Sequence, residues 1–289
     1  MTSRPGASGR ARLTTVVLGV VVGFALVAGV VVLALRTLGS DDSAGRPVSS
    51  ASSPAGSAPA ATRVPVPQVS ADVLAALPRA TTDTTVRGAP VDLSGRSHGV
   101  VVQVAQETAG FARPGATPVT VVPAKQIGNP TWLPVLAQRD GWMQVRLPSR
   151  PNGATAWIPD TGQRTATTRW AVRIDLATGS MTVDEGKRVA GSWRIGQGQD
   201  RTPTPSGETF LLAGFVDPQQ SFSPVIYALG AHSDTLDTFG GGPGTVAVHG
   251  WPTAAGRTGK VSHGCVRIPD AALDILGRLP TGTPVSITA

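Results

Sequence analysis

The sequence predicts a mostly β protein with one N-terminal membrane segment, a small β module and a larger β domain carrying one late helix. Three observations predict it. Uncharged, largely apolar residues run from Leu13 to Leu35, long enough at helical rise to cross a bilayer core. From about His98 onward, short stretches alternate apolar and polar residues between Pro and Gly turns, the period of half-buried strands. After Pro269-Asp270 the apolar residues Leu273, Leu276 and Leu279 recur at helical spacing instead.

Taken in order, residues 1–12 carry Arg4, Arg10 and Arg12 without an acidic residue, whereas Arg36 is soon followed by Asp41 and Asp42. That bias places residues 1–12 in the cytoplasm as a short tail and makes 13–35 a transmembrane signal anchor. Its apolar core exceeds the roughly 7 to 15 residues of a cleaved signal peptide. The remainder of the chain is then extracytoplasmic on a single-pass protein of the cell membrane. Residues 36–97 read as a Pro/Ala/Ser-rich tether, because such a composition buries too little apolar surface to fold. Within it Ser70 caps a short helix from Ala71 to Leu77 that Pro78 ends.

Residues 98–165 form the β module. Trp142 to Leu147 alternates so that Met143, Val145 and Leu147 share one face, Arg150-Pro151-Asn152-Gly153 supplies a turn, and Ala156-Trp157-Ile158 resumes a strand. The Trp-rich ending resembles bacterial SH3-like modules, which often bind cell-wall polymers. The alternative is a spacer with Trp142 and Trp157 as core aromatics. Residues 170–289 form the second domain. Ala171 to Leu176 and Met181 to Val183 pair as a hairpin around Thr178-Gly179, further strands lie at Thr209–Ala213, Val225–Leu229 and Thr245–Val248, and Pro284 to Ile287 closes the chain.

The formal charge is +7, and only Lys125, Lys187 and Lys260 of the basic residues are lysines. The arginines are scattered, with no lysine-rich run and no aromatic-interleaved patch, which argues against nucleic acid as a partner. A basic surface outside a membrane suits an anionic envelope polymer equally well, and a solvated surface with an arginine-rich composition bias accounts for the charge better than either.

Cys265 is the only cysteine, so it has no internal disulfide partner outside the membrane and is either inert or kept for its reactivity. A thiol is a nucleophile only as thiolate, and histidine titrates in the range needed to help form it. His249 ends the strand Thr245–Val248, and Cys265 lies sixteen residues later, beyond a Gly/Pro/Ala-rich loop from Trp251 to Lys260. A loop that folds back brings the two together and leaves Trp251–Lys260 as a flexible flap. Gly264 allows close backbone approach beside the thiol, and the Gly264 and Cys265 N–H groups are natural oxyanion donors. Ser262 can steady the loop by a short-range hydrogen bond, while Arg267, two positions past Cys265 in an extended strand, faces the same side and can hold a carboxylate.

His249-Gly250, a spacer and then Ser262-His263-Gly264-Cys265-Val266-Arg267 resemble the signature of the L,D-transpeptidases, the YkuD-type catalytic domain of bacterial cell-wall enzymes. Thr202-Pro203-Thr204-Pro205-Ser206-Gly207 is similar to a Thr-Pro-x-Gly segment of that family, and Gly282 to Ile287 to its last strand. The resemblance implies a β-sandwich fold for 170–289, with Cys265 as nucleophile, His249 as base, and Ser262, His263, Gly264 and Gly250 lining or supporting the oxyanion side. Some mycobacterial members carry Asn where this chain has Arg267, which leaves that residue between binding substrate and bracing the site.

The implied reaction is acyl transfer on peptidoglycan. Cys265 attacks the carbonyl before the terminal D-alanine of a tetrapeptide stem, and an acceptor stem's side-chain amine takes the acyl group, giving a 3→3 cross-link. No metal or organic cofactor is needed, and carbapenem β-lactams are implied as inhibitors. Three alternatives stand beside it. His249, His263 and Cys265 could ligate zinc, although a hydrolytic site usually adds a carboxylate. The domain could bind the wall without chemistry, or the acyl-enzyme could pass to water or to another amine. His232 and His98 have no motif around them and read as ordinary core or surface residues.

Overall fold

The computed structural model describes residues 63–289. The tail 1–12, the membrane segment 13–35 and the first part of the tether lie outside the described residues. Among the described residues no helix is long and apolar enough to cross a membrane.

The chain from Arg63 to Gly95 is not the free tether that its composition suggests. After helix α1 (Ala71–Ala76), whose Ser70 cap accepts from the Val73 N–H at 3.3 Å, the strand-poor segment lies along the β module as an arm. Ala80 and Val86 are buried. The Ala80 N–H donates to Val121 O at 2.8 Å, the Val86 N–H to Arg150 O at 2.9 Å and the Asp92 N–H to Gly153 O at 2.9 Å. Fully buried Arg146 donates to Asp92 O at 2.5 Å and Gly95 O at 2.6 Å. Those carbonyls take the place of the carboxylates that buried guanidinium groups usually need.

The module contains β1 (Val100–Gln103), β2 (Thr108–Phe111), β3 (Pro118–Val122), β4 (Lys125–Gln126), β5 (Asn129–Pro130), β6 (Trp132–Arg139), β7 (Trp142–Arg146), β8 (Thr155–Pro159) and β9 (Arg164–Thr167). Seven of these form one antiparallel sheet in the order β3-β2-β8-β7-β6-β1-β9, and β4 and β5 make a separate pair. The alternation of β7 is realised: Met143 and Val145, with Leu147 beyond them, enter one apolar cluster, while Trp142 packs on the opposite side with Phe111 and Trp157. The Phe111 and Trp142 rings meet edge to face at 5.1 Å.

The second half contains β10 (Trp170–Asp175), β11 (Ser180–Glu185), β12 (Arg188–Arg194), β13 (Gly196–Gly198), β14 (Gly207–Phe215), β15 (Ile226–His232), β16 (Thr245–Gly250), β17 (Gly259–Ser262), β18 (Val266–Ile268), helix α2 (Asp270–Leu276) and β19 (Pro284–Thr288). The strands run in the order β12-β11-β10-β19-β14-β15-β16-β18-β13-β17. Strand β14 joins two limbs. Its first half, Gly207–Phe210, pairs with β19 and its second half, Leu211–Phe215, with β15, the latter pairing carrying a register shift between Leu211 and Ala213. Val172, Ile174, Met181 and Val183 of one limb and Leu229, Val246, Val248 and Val266 of the other share one core, covered by Leu273 and Leu276 of α2. A sheet folded across its own core is the packing expected of a sandwich.

The two halves are not independent beads. Alternate residues of β14 serve different cores: Leu211 joins the C-terminal core, while Phe210 and Leu212 insert into the module's core. The described residues, 63–289, accordingly fall in one compact unit.

Candidate active site

Strands β16 and β18 run parallel, with Val248 opposite Val266 and His249 opposite Arg267. Side chains alternate along each strand. Val246, Val248, Val266 and Ile268 therefore point into the core, and Ala247, His249 and Arg267 take the other face. Cys265 immediately precedes β18, two positions before Arg267, and by the same alternation takes that face, one diagonal step from His249. On a ladder with strands about 4.8 Å apart, such a step spans about 8 Å between backbones. A cysteine and a histidine side chain can close that distance.

His249 is held as a base. Its Nδ1 lies 2.7 Å from Gly250 O. A carbonyl oxygen can only accept, so Nδ1 carries the proton and Nε2 keeps its lone pair. The imidazole is 6% exposed, with the Phe222 ring 4.9 Å and the Trp251 ring 6.2 Å away. Burial holds its pKa below the ordinary histidine value, and the nearby Arg267 charge acts in the same direction against the opposing Gly250 carbonyl. The ring therefore stays neutral at pH 7. Burial raises the pKa of the partly exposed Cys265 thiol, while the Ala247 hydrogen bond and the Arg267 charge pull it down. A thiol that resists ionising by itself, beside a neutral base, fits proton transfer at the moment of attack.

The cysteine loop is stapled from within. Ser262 Oγ donates to Cys265 O at 2.5 Å and accepts the Gly264 N–H at 3.2 Å. This assigns Ser262 its loop-steadying part, and it corrects the expectation for Gly264, whose N–H is engaged and does not face a substrate. Of the two expected oxyanion donors, the Cys265 N–H is the one left. Gly264 adopts φ +122°, a conformation that L side chains rarely adopt. That backbone demand accounts for the glycine: an added Cβ would meet nothing nearer than Pro203 O at 3.7 Å.

A second strut comes from 199–204. Buried Thr204 donates through Oγ1 to Gly264 O at 2.8 Å and accepts the Gly198 N–H at 3.0 Å. The Gln199 N–H donates to Ser262 O at 2.9 Å. The sequence marks Thr202 to Gly207 only by resemblance, and the fold gives Thr204 a physical task. Gly250 is pinned likewise, its N–H donating to Ser223 Oγ at 2.8 Å. Gly250 thus orients His249 through its carbonyl and offers no free donor. Ser223 and Phe222 carry no mark in the sequence, and Thr204 only its place in the resembling segment, because they act across 27 to 60 residues of sequence.

Arg267 does not project as a free fork. Its guanidinium carbon lies over the Trp251 ring, 3.5 Å from the centroid, with Nη1 near Gly256 O at 3.5 Å and Nε buried without a partner. This is a cation–π contact that also braces the loop after β16. The Trp251–Lys260 loop is pinned as well. It contains a 3-10 turn at Ala255–Arg257, Arg257 donates to Trp251 O, and the Gly256 N–H bonds Thr253 Oγ1 at 3.2 Å. The flexible flap expected there is instead a braced wall.

The two motif histidines separate. His263 is exposed and stacks on Phe239, with centroids 5.0 Å apart, and both border, together with Cys265, one small void of about 10 Å³. His232 is buried, its Nε2 donating to Thr82 O at 2.7 Å, so it is a core residue of the seam with the arm. Among the described residues no group of three His, Cys, Asp or Glu side chains is placed to hold a metal ion.

Residues 169–287 match the family model YkuD, the L,D-transpeptidase catalytic domain. No curated protein matches the sequence. Similar solved structures include an L,D-transpeptidase from Mycobacterium smegmatis, 17% identical over 51% of this chain and 91% of that one, with a TM-score of 0.34. The catalytic domain of an Enterococcus faecium L,D-transpeptidase is 23% identical over 41% of this chain and 96% of that one, with a TM-score of 0.32. L,D-transpeptidase 3 from Mycobacterium tuberculosis, in complex with a faropenem-derived adduct, is 15% identical over 48% and 75%, with a TM-score of 0.36.

Proposed function

We propose that this chain, whose residues 169–287 match the YkuD family of L,D-transpeptidase catalytic domains, forms 3→3 cross-links in peptidoglycan through a thioester on Cys265. The observation that carries the proposal is the β16–β18 ladder, which puts Cys265 and His249 on one face while the Gly250 carbonyl fixes the imidazole with Nε2 unprotonated.

In the first step His249 Nε2 takes the Cys265 proton as sulfur attacks the carbonyl between the third residue and the terminal D-alanine of a tetrapeptide stem. The tetrahedral oxyanion forms against the Cys265 N–H. The C–N bond then breaks and the proton passes from His249 to the departing D-alanine amine, leaving a thioester. In the second step the side-chain amine of a neighbouring stem attacks the thioester and gives its proton back through His249, and the thiol is restored. Splitting the exchange in two removes any need for a metal. Arg267, stacked on Trp251, braces this site and lends positive charge to the thiolate. Family resemblance extends the proposal to inhibitors: a carbapenem is expected to acylate Cys265. The segment 13–35 would anchor the enzyme with its catalytic domain outside the membrane, and the β module, by its SH3-like resemblance, would meet the wall polymer.

The test is incubation of the purified protein with disaccharide-tetrapeptide, with products weighed by mass spectrometry. A dimer lacking one D-alanine is expected. Tripeptide alone would replace cross-linking by hydrolysis, and unchanged substrate would overturn the enzymatic proposal.

A further inference from the structure

Beside Cys265 stands the segment Ser233–Gly244, whose Leu236 and Phe239 border, with His263 and Cys265, a void of about 10 Å³. The segment's base is closed by the Ser233 N–H donating to Gly244 O at 2.9 Å, and its tip by paired hydrogen bonds between Phe239 and Gly242, each 3.0 Å. Phe239 then stacks on His263 within the motif. Half of the Phe239 side chain is exposed, so little apolar packing holds this segment in place.

Besides its own bonds, which include the Leu236 N–H donating to Ser233 Oγ at 3.1 Å, the segment is tied to the other half of the molecule. The module's turn Arg150–Gly153 reaches across. Asn152 accepts the His232 N–H at 2.8 Å and donates to His232 O at 2.8 Å, the two-point pairing that a strand neighbour would make, and it also donates to Asp234 Oδ1 at 3.0 Å. Arg150 Nη2 donates to Leu236 O at 3.2 Å. Gly244 leaves room for that guanidinium, since a Cβ there would lie 3.1 Å from Arg150 Nη2 and 2.2 Å from Leu236 O. From the arm, Thr82 O accepts from the His232 ring at 2.7 Å. Asn152 and Arg150 thus bond backbone atoms at the root and the flank of a segment that borders the void beside Cys265.

We infer that Asn152 and Arg150 are positioning residues for donor binding, so that the β module is a working part of the active site. This rests on the proposal that Cys265 is acylated by a stem peptide. Neither residue touches reacting atoms. Each fixes where Leu236 and Phe239 stand when the stem enters, so releasing them loosens that segment while leaving the Cys265–His249 ladder intact.

The test compares wild type, Asn152→Ala, Asn152→Asp and Arg150→Met in the full chain, measuring kcat and KM for tetrapeptide donor and the rate at which iodoacetamide alkylates Cys265. The expectation for Asn152→Ala is a donor KM raised about tenfold at near-constant kcat, with alkylation unchanged, as for loss of ground-state positioning. Asn152→Asp, which loses the donor to His232 O and places a carboxylate beside Asp234, should do no better than Ala, and Arg150→Met should raise KM severalfold. Wild-type KM in all three variants would overturn the inference. So would kcat falling at constant KM while alkylation speeds up, the mark of a lost folded fraction that exposes the thiol. If wild type itself turns over no donor, the proposed function falls and this inference with it; if wild type turns over and the variants are indifferent, this inference alone falls.

Discussion

Replacing Thr204 by Val tests whether the cysteine loop depends on its strut. The change preserves shape and removes one hydroxyl from a site that is 4% exposed. Two buried backbone groups lose their partner, Gly264 O at 2.8 Å and the Gly198 N–H at 3.0 Å. Each buried orphan costs about 1–3 kcal/mol, and a loop that can relax should bring the sum to about 3 kcal/mol, near the lower end of the range. Thr204→Ser keeps both bonds and gives up a methyl group, a loss of about 1 kcal/mol. Urea unfolding of the three proteins measures the difference, and iodoacetamide labelling of Cys265 reports whether the loop has shifted. The reasoning is refuted if Thr204→Val stays within about 0.5 kcal/mol of wild type, or if Ser is as damaging as Val.

Three further outcomes follow from the same contacts. Burial lowers the His232 pKa from 6.5 to about 4; the unfolded chain takes the proton first, so this part of stability is full above about pH 6.5 and about 3 kcal/mol is lost as pH falls to 4. Urea unfolding of His232→Gln, whose amide can still donate to Thr82 O, should show a smaller difference between pH 7 and pH 4 than wild type. Phe210→Ala empties a fully buried position where β14 enters the module's core and should cost about 3–5 kcal/mol in the same assay, with the module and the catalytic domain still unfolding in one transition. His249→Ala should slow carbapenem acylation by at least about a hundredfold, the scale of a lost general base. His263→Ala, which removes an exposed ring from Phe239, should slow it far less, as followed by adduct mass over time.

Local pattern carried much of the fold and the identity of the motif. Alternation along Ala171–Leu176 and Trp142–Leu147 fixed two strands with their correct buried faces, and the Pro269-Asp270 start with Leu273 and Leu276 located α2. What escaped depends on partners far along the chain. Residues 63–97 have the composition of a tether, yet Ala80 and Val86 are buried because β3 and the 150–153 turn offer backbone groups to them. β13, Gly196–Gly198, has almost no side chain to alternate and is a strand only because β17 and β18 flank it. At the site, the sequence led to an expectation that Cys265 and His249 meet across adjacent strand ends, and β16 and β18 do run side by side. The occupied Gly264 N–H, the stacked Arg267 and the braced Trp251–Lys260 wall were not legible, since each is set by geometry that spacing leaves free.

The central proposal is that Cys265, served by His249, takes an acyl group from a stem peptide. Intact-protein mass spectrometry after brief mixing with tetrapeptide donor and no acceptor tests it directly. The expected result is an adduct of the stem less one D-alanine, mapped to Cys265, absent in Cys265→Ala and strongly delayed in His249→Ala. D-alanine release that persists in Cys265→Ala, or an adduct on any other residue, would contradict it.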